Sequence, residues 1–150
     1  TTGTASTVYL DLCNVPQGSA NGERIGNKIK ILSIEVVCGS SAVGSTDPGT
    51  LGCLLVSGHK VTAPVHADFL VPFFIDENEF TVYKKDFQYS GGEAFKNFHL
   101  KHTFPNGKIC HFNGPAGTQA VDGVIYALFY NPSSASHNFE MSTKLTYIDI

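Results

Sequence analysis

Two short segments whose other residues favour β-strands carry five of the ten basic side chains. Lys28 and Lys30 alternate with isoleucines, Arg24 stands just before them, and Lys84 and Lys85 are adjacent in the second segment. A lysine neutralises a nucleic-acid phosphate as a point charge, and each contact releases counterions. We therefore predict that these five residues are nucleic-acid contacts whose binding weakens with salt. The alternative is that they are solvated on strand faces or form salt bridges between subunits.

An acidic cluster follows an apolar segment in the middle of the chain. Asp76, Glu77 and Glu79 could supply oxygen ligands to Ca²⁺ at a subunit junction. Their spacing is not that of an EF-hand, and an acidic run is usually a solvated surface. We therefore predict no metal site and keep these three residues as weak candidates.

Histidines near a cysteine raise the question of a zinc site. His99 and His102 lie close in sequence to Cys110 and His111. Residues three apart on a strand point to opposite faces, so His99 and His102 cannot easily share one ion. Polar cross-strand neighbours explain the pattern equally well.

The four cysteines lie far apart and form no CxxC pair. This spacing favours free, partly buried thiols in a reducing compartment over a disulfide framework. The residues are Cys13, Cys38, Cys53 and Cys110.

The sequence contains no recognisable catalytic motif. It has no P-loop, G-x-G-x-x-G or H-E-x-x-H pattern. Ser57-Gly58-His59 and Ser90-Gly91-Gly92 lack the strand–elbow–helix setting of a serine nucleophile. We therefore predict a protein that is not an enzyme and needs no cofactor.

The elements that position these residues are predicted to be strands. The 150 residues suit one domain, and strand-favouring Val, Ile, Thr, Phe and Tyr together outnumber the strong helix formers. A net charge of −3 argues against a free-standing nucleic-acid binder, and no apolar run is long enough to span a membrane. About eight strands and no helix are expected, typical of a single antiparallel jelly-roll β-sandwich. They include a strand from Phe80 to Tyr89 and a last strand whose apolar residues face inward and alternate with outward polar residues: Phe139, Met141, Leu145 and Tyr147.

Three local patterns refine this prediction. In the strand beginning at Lys28 the apolar parity switches near Leu32, which predicts a β-bulge or a change of buried face. Pro105-Asn106-Gly107 predicts a hairpin turn. The continuously apolar run from Val124 to Tyr130 predicts a central strand buried on both faces.

One aromatic segment is predicted to contact another subunit. It is broken by prolines, which argues against a central strand, and a monomer rarely exposes a large apolar patch. The candidate interface residues are Phe69, Leu70, Val71, Phe73, Phe74 and Ile75.

Several blocks, taken in order, resemble the capsid proteins of small circular single-stranded DNA viruses (the geminivirus, circovirus and nanovirus relatives). They are Asn14–Gly18, Arg24–Ile29, Phe80–Phe87 with its paired lysines, Val124–Pro132, and the last strand ending at Asp149. The Arg24–Ile29 block resembles an R-hydrophobic-G-x-K-hydrophobic element of that group. The resemblance runs from about Val8 to Ile150.

The resemblance implies a structural protein that self-assembles into a small icosahedral shell, commonly T=1, around circular single-stranded DNA. Its partners would be other copies of itself and viral DNA, without membrane insertion, and its locations the virion and the host nucleus. Members carry an Arg/Lys-rich N-terminal arm, which we expect upstream of Thr1. The alternative is a non-viral trimeric jelly-roll binding module, TNF/C1q-like or carbohydrate-binding.

Overall fold

The structure is a computed structural model that describes residues 2–3, 6–42, 50–58, 69–71, 74–89, 95–113, 120–131 and 137–150. These residues form eleven strands and no helix, so none of them belongs to a helix that could cross a membrane. The strands are β1 (Thr2–Gly3), β2 (Ser6–Asp11), β3 (Lys28–Ala42), β4 (Thr50–Gly58), β5 (Phe69–Val71), β6 (Phe74–Ile75), β7 (Phe80–Tyr89), β8 (Phe95–Phe112), β9 (Ala120–Asp122), β10 (Ile125–Asn131) and β11 (His137–Asp149).

The strands form two antiparallel sheets and one short antiparallel pair. Sheet 1 has the order β1-β11-β3-β8-β9, sheet 2 has the order β2-β10-β4-β7, and β5 pairs with β6. Buried side chains from both sheets belong to one core cluster, so the sheets pack face to face. The predicted all-β class with two antiparallel sheets is confirmed.

The two central strands of sheet 2, β4 and β10, are buried on both faces. Every residue of β10 is buried, which confirms the prediction made from the apolar run. Phe129 points toward sheet 1, where its ring meets that of Phe98 edge-on, with 6.2 Å between the centroids. Leu128 points the other way, into a second apolar cluster that includes Phe80 and Ile75. The central strands of sheet 2 are therefore held by packing from two sides.

The β-bulge predicted near Leu32 is confirmed. Ile29 and Ile31 are buried before this position, and Ile34 and Val36 are buried after it. Both β8 and β11 skip Leu32 in their pairing with β3. One extra residue reverses the inward and outward alternation of the side chains that follow it in the strand. The apolar side chains of β3 therefore face the core both before and after Leu32.

The predicted hairpin at Pro105-Asn106-Gly107 is wrong. The chain does not turn back there, because Thr103 pairs with Ser33 and Lys108 pairs with Ile31 in one continuous ladder. Residues 104–107 bulge out of β8 opposite the single residue Leu32. Gly107 has a φ of 70°. The turn-favouring residues of this tripeptide therefore form a β-bulge within one strand.

The last strand follows its predicted alternation. Phe139 is buried and Met141 packs against the core, whereas Glu140 and Ser142 are exposed. Strand β7 also has the predicted bounds, Phe80–Tyr89. The strands with clear period-two patterns were thus predictable, because one side of each contacts the core.

Candidate nucleic-acid and subunit interfaces

Arg24 is buried, so its predicted contact with phosphate is not compatible with this fold. Its side chain is 0% exposed. The Nε–H donates to the Val15 carbonyl oxygen at 3.0 Å, and Nη1 donates to the carbonyl oxygen of Gly26 and to Asn27 Oδ1. The guanidinium lies 4.1 Å from the centroid of the Phe112 ring. Arg24 therefore ties the segment before β3 to the end of β8.

Lys28 and Lys30 lie on β3 in the middle of sheet 1 and point away from the core. Lys28 is exposed, and its register neighbour on β8 is His111. Lys30 is half-buried because its methylene groups lie over the bulge at Gly107. An extended lysine that rests its stem on the sheet still presents its ammonium group to solvent. These two lysines remain candidates for phosphate contacts.

Two further lysines on the same face were missed by sequence reasoning. Lys101 on β8 and Lys144 on β11 are both exposed, and both lie directly opposite Glu35 of β3. Sequence alone could not place them, because their proximity depends on how three distant strands pair. In the part of the face formed by β3, β8 and β11, lysines exceed carboxylates. The lysines are Lys28, Lys30, Lys101 and Lys144, and the carboxylates are Glu35 and Glu140.

Glu35 lies at the centre of this lysine-bearing face. His99 Nε2 lies 2.7 Å from Glu35 Oε1. That hydrogen bond, more than the charges of Lys101 and Lys144, holds the pKa of the Glu35 carboxyl below its ordinary value. Glu35 therefore carries a negative charge at neutral pH, which offsets part of the positive charge around it.

Lys84 and Lys85 lie elsewhere, on β7 at an edge of sheet 2. Both side chains are exposed. Lys85 Nζ lies 5.4 Å from the centroid of the Phe74 ring. Lys84 lies near His102, where burial and then the charge of Lys84 lower the pKa of the imidazole. The four predicted surface lysines thus form two pairs on different sheets, and the structure does not bring them into one site.

The predicted subunit-contact segment divides into buried and exposed residues. Phe69 stacks on Tyr130 with 3.8 Å between ring centroids, and Ile75 is buried in the second apolar cluster. Phe74 is 60% exposed. Leu70 and Val71 lie in β5, and Phe73 lies outside the described residues. Phe69 and Ile75 therefore anchor the segment on sheet 2, and Phe74 presents an aromatic ring to solvent.

The acidic cluster occupies the turn between β6 and β7. Asp76 Oδ1 accepts a hydrogen bond from the Asn78 N–H at 2.9 Å, and the Asp76 carbonyl oxygen accepts one from Phe80 N–H at 3.0 Å. Asp76 thus stabilises the turn. Within the ranges that the structure describes, no group of three or more acidic, histidine or cysteine side chains is placed to hold a metal ion.

The histidines point to opposite faces of sheet 1, as strand geometry predicts. His99 is exposed and bonded to Glu35, whereas His102 stacks on Tyr83 with 4.9 Å between ring centroids. Desolvation, followed by the charge of Lys84, lowers the pKa of His102. These two histidines therefore do not converge on one ion.

Neither a protein-family model nor a curated protein sequence matches the chain. The two candidate interfaces are the lysine-bearing outer face of sheet 1 and the exposed ring of Phe74 near the edge of sheet 2.

Proposed function

We propose that this chain is the shell domain of a capsid protein that assembles into a small icosahedral shell, T=1 by resemblance, around a circular single-stranded DNA genome. The observation that carries the proposal is the nesting of strand pairs. Strand β1 pairs with β11, β2 with β10, β3 with β8, and β4 with β7. The first half of the chain thus pairs with the second half in reverse order.

This nesting supports a jelly-roll topology. A jelly roll is a long antiparallel ribbon of eight strands rolled into two four-stranded sheets. Without β5 and β6, which form a separate pair, and β9 at the edge of sheet 1, eight strands remain, of which β1 has only two residues. Their sheet orders are first-eighth-third-sixth and second-seventh-fourth-fifth. Viral capsid domains and lectins commonly have this architecture. The sequence blocks that resemble capsid proteins favour a capsid function over a lectin function.

Assembly into a closed shell requires a subunit that keeps its shape. The two sheets share one core, and sheet 2 carries a second apolar cluster on its other face. Interiors packed on both sides resist deformation. A rigid subunit with fixed contact surfaces generates a finite shell when its contacts obey closed point-group symmetry.

The outer face of sheet 1 is the surface we propose to face the genome. Lys28, Lys101 and Lys144 are exposed there, and the half-buried Lys30 lies against the β8 bulge at Gly107. Lysines spread over a flat strand surface suit phosphates at many positions and read no base sequence. The overall charge of −3 makes this a weak, salt-sensitive contact.

The segment Phe69–Ile75 is the surface we propose for a contact between subunits. Phe74 presents most of its ring to solvent, and its backbone is held by pairing between β5 and β6. Exposed aromatics on ordered backbone are frequent at interface centres.

The test replaces the aromatic residues of that segment by a charge. The paired substitution Phe73→Asp and Phe74→Asp is expected to yield soluble, unassembled subunits when the protein is viewed by negative-stain microscopy. The matched control is Ile25→Asp with Ile150→Asp, which adds the same two charges at apolar residues that are 73% and 55% exposed and is expected to leave assembly intact. Normal shells from the Phe73/Phe74 variant would overturn the proposed contact. A stable trimer of the unmodified chain would favour a TNF/C1q-like or carbohydrate-binding module instead.

A further inference from the structure

Strand β11 forms an edge of sheet 1 along most of its length. On the side away from β3, it pairs with β1 at His137 and Asn138. The turn at residues 19–23 lies beside residues 145–149, where the two segments line a shared cavity. Between these limits, no strand in the described part of the chain pairs with this edge. We call residues 139–145 the open stretch.

The open stretch carries few of the features that prevent pairing between chains. An unpaired strand edge presents backbone N–H and C=O groups to any strand of another chain, and proteins block such edges with proline, bulges or charges. The open stretch has no proline, and its register with β3 is regular. Its two charged side chains, Glu140 and Lys144, are exposed on the outer face. A partner strand therefore has to match these two charges.

The open stretch also borders an apolar cavity between the two sheets. The cavity, about 200 Å³, is lined by Val8, Tyr9 and Leu10 of β2 and by Phe139 and Met141 of β11. Strand β2 is an edge of sheet 2, and its Tyr9 and Leu10 are 48% and 41% exposed. A partner at this edge would cover apolar side chains as well as pair with the backbone.

We propose that the partner is a second copy of this chain, whose open stretch pairs antiparallel with the first about a twofold axis at Ser142. Such a contact requires a self-complementary surface. With this axis, Glu140 of each copy lies directly opposite Lys144 of the other. Phe139 of each copy lies opposite Leu145 of the other, so the pairing reaches both limits of the open stretch at once.

The charges of β11 select this register over its neighbours. Opposite charges directly across two antiparallel strands stabilise the pairing, and like charges destabilise it. An axis at Glu140 or at Lys144 would place two like charges opposite each other. An axis at Met141 or at Thr143 would place both charges opposite neutral residues. Only the axis at Ser142 forms two ion pairs.

The dimer does not depend on the proposed capsid function. The axis stands perpendicular to sheet 1, so the sheet continues from one copy into the other with its inner and outer faces kept. A closed shell can contain twofold contacts of this kind, and so can a free dimer.

The first test is a cross-link at the axis. Residues directly opposite in an antiparallel pair have Cα atoms about 4.5–5.5 Å apart, within the range that a disulfide spans. The native cysteines are free and 0% exposed, so Ser142→Cys adds the one exposed thiol of the chain. After oxidation with diamide, we expect a dimer on a non-reducing gel, with the bond mapped to position 142 of both chains.

The matched control is Thr146→Cys, which is exposed on the same strand and the same face. Its two copies would lie about 27 Å apart along the paired strands, so no linked dimer is expected. Absence of a linked dimer from Ser142→Cys, or equal cross-linking of the two variants, would overturn the proposal.

The second test exchanges the charges. Glu140→Lys and Lys144→Glu each place like charges opposite each other, and each should raise the dimer dissociation constant by on the order of 10-fold. An equimolar mixture of the two variants should recover the affinity, because both lysines of one then face both carboxylates of the other. Sedimentation equilibrium without nucleic acid measures this. The matched control is Lys101→Glu, also exposed and opposite Glu35 but on β8, and should dimerise normally.

Single variants that dimerise as tightly as the unsubstituted chain, or a mixture that does not recover, would count against the dimer even if a cysteine variant does not fold. Both tests are repeated in the Phe73→Asp and Phe74→Asp background, where shells are not expected. Cross-linked dimers without shells from the unsubstituted chain would contradict the capsid function alone. Shells without the cross-link would contradict the dimer alone.

Discussion

Replacing Arg24 should destabilise the fold far more than replacing any lysine of the sheet 1 face. In Arg24→Met, the Val15 and Gly26 carbonyl oxygens lose their guanidinium donor, and Phe112 loses its cation. An unsatisfied buried acceptor costs about 1–3 kcal/mol, and a desolvated cation–π contact contributes up to about 2 kcal/mol. Because these terms are not additive, we expect a loss of about 4 kcal/mol in the free energy of unfolding.

Arg24→Lys tests whether a positive charge alone, without the hydrogen-bonding geometry of a guanidinium, is enough at this position. Arg24→Lys keeps a cation, but one ammonium group cannot reproduce the planar fork that reaches Val15, Gly26 and Asn27. We expect it to recover only part of the loss, leaving about 2 kcal/mol. Lys28→Met, on the exposed face, is the matched control and should change stability by no more than about 0.5 kcal/mol.

The assay is equilibrium urea unfolding followed by far-ultraviolet circular dichroism, since the chain has no tryptophan. Two protein concentrations reveal any contribution from association. Equal unfolding midpoints for Arg24→Met and the unsubstituted chain would refute the structural role. If that variant instead lost DNA affinity at unchanged stability, Arg24 would be a phosphate contact after all.

Three other predictions follow from named contacts. Folding lowers the pKa of His102 from its ordinary 6.5, so the unfolded state binds more protons than the folded state below that pH. The contribution of His102 to stability should be complete above pH 6.5 and should decline as the pH falls toward the folded pKa. His102→Phe should flatten this decline, measured as the urea midpoint against pH. Lys28→Ala with Lys30→Ala should reduce the slope of log affinity against log salt for single-stranded DNA by about 1.4, with an unchanged slope arguing against a genome-facing sheet 1. Gly123→Ala should destabilise strongly, because Gly123 has a φ of 76° and the new Cβ would lie 2.4 Å from the Ile109 carbonyl oxygen; a Tm equal to that of the unsubstituted protein would contradict this.

Local sequence patterns predicted most strands but not the long-range pairing. The parity switch at Leu32 was readable because burial alternates along one strand. The tripeptide ending at Gly107 was misread, because a positive-φ glycine suits a hairpin and a bulge alike, and only the partner strand distinguishes them. Which lysines share a face with Glu35 likewise depends on two strands that lie far away in the sequence.

Arg24 shows why residue type alone does not locate a binding site. A basic residue beside two lysines suggests a phosphate contact, but Arg24 is enclosed by Val15 and by Phe112 from β8. The contact with Phe112 exists only once β8 has paired with β3. Burial of a cation in this way is a property of the tertiary structure and not of the local segment.

Sedimentation velocity of the purified chain, over a range of protein and salt concentrations, tests the proposed assembly most directly. We expect a cooperative transition from subunits to one large species of uniform size, as closed symmetry requires. A chain that stays monomeric at every concentration, or that stops at a trimer, would contradict the proposed capsid function.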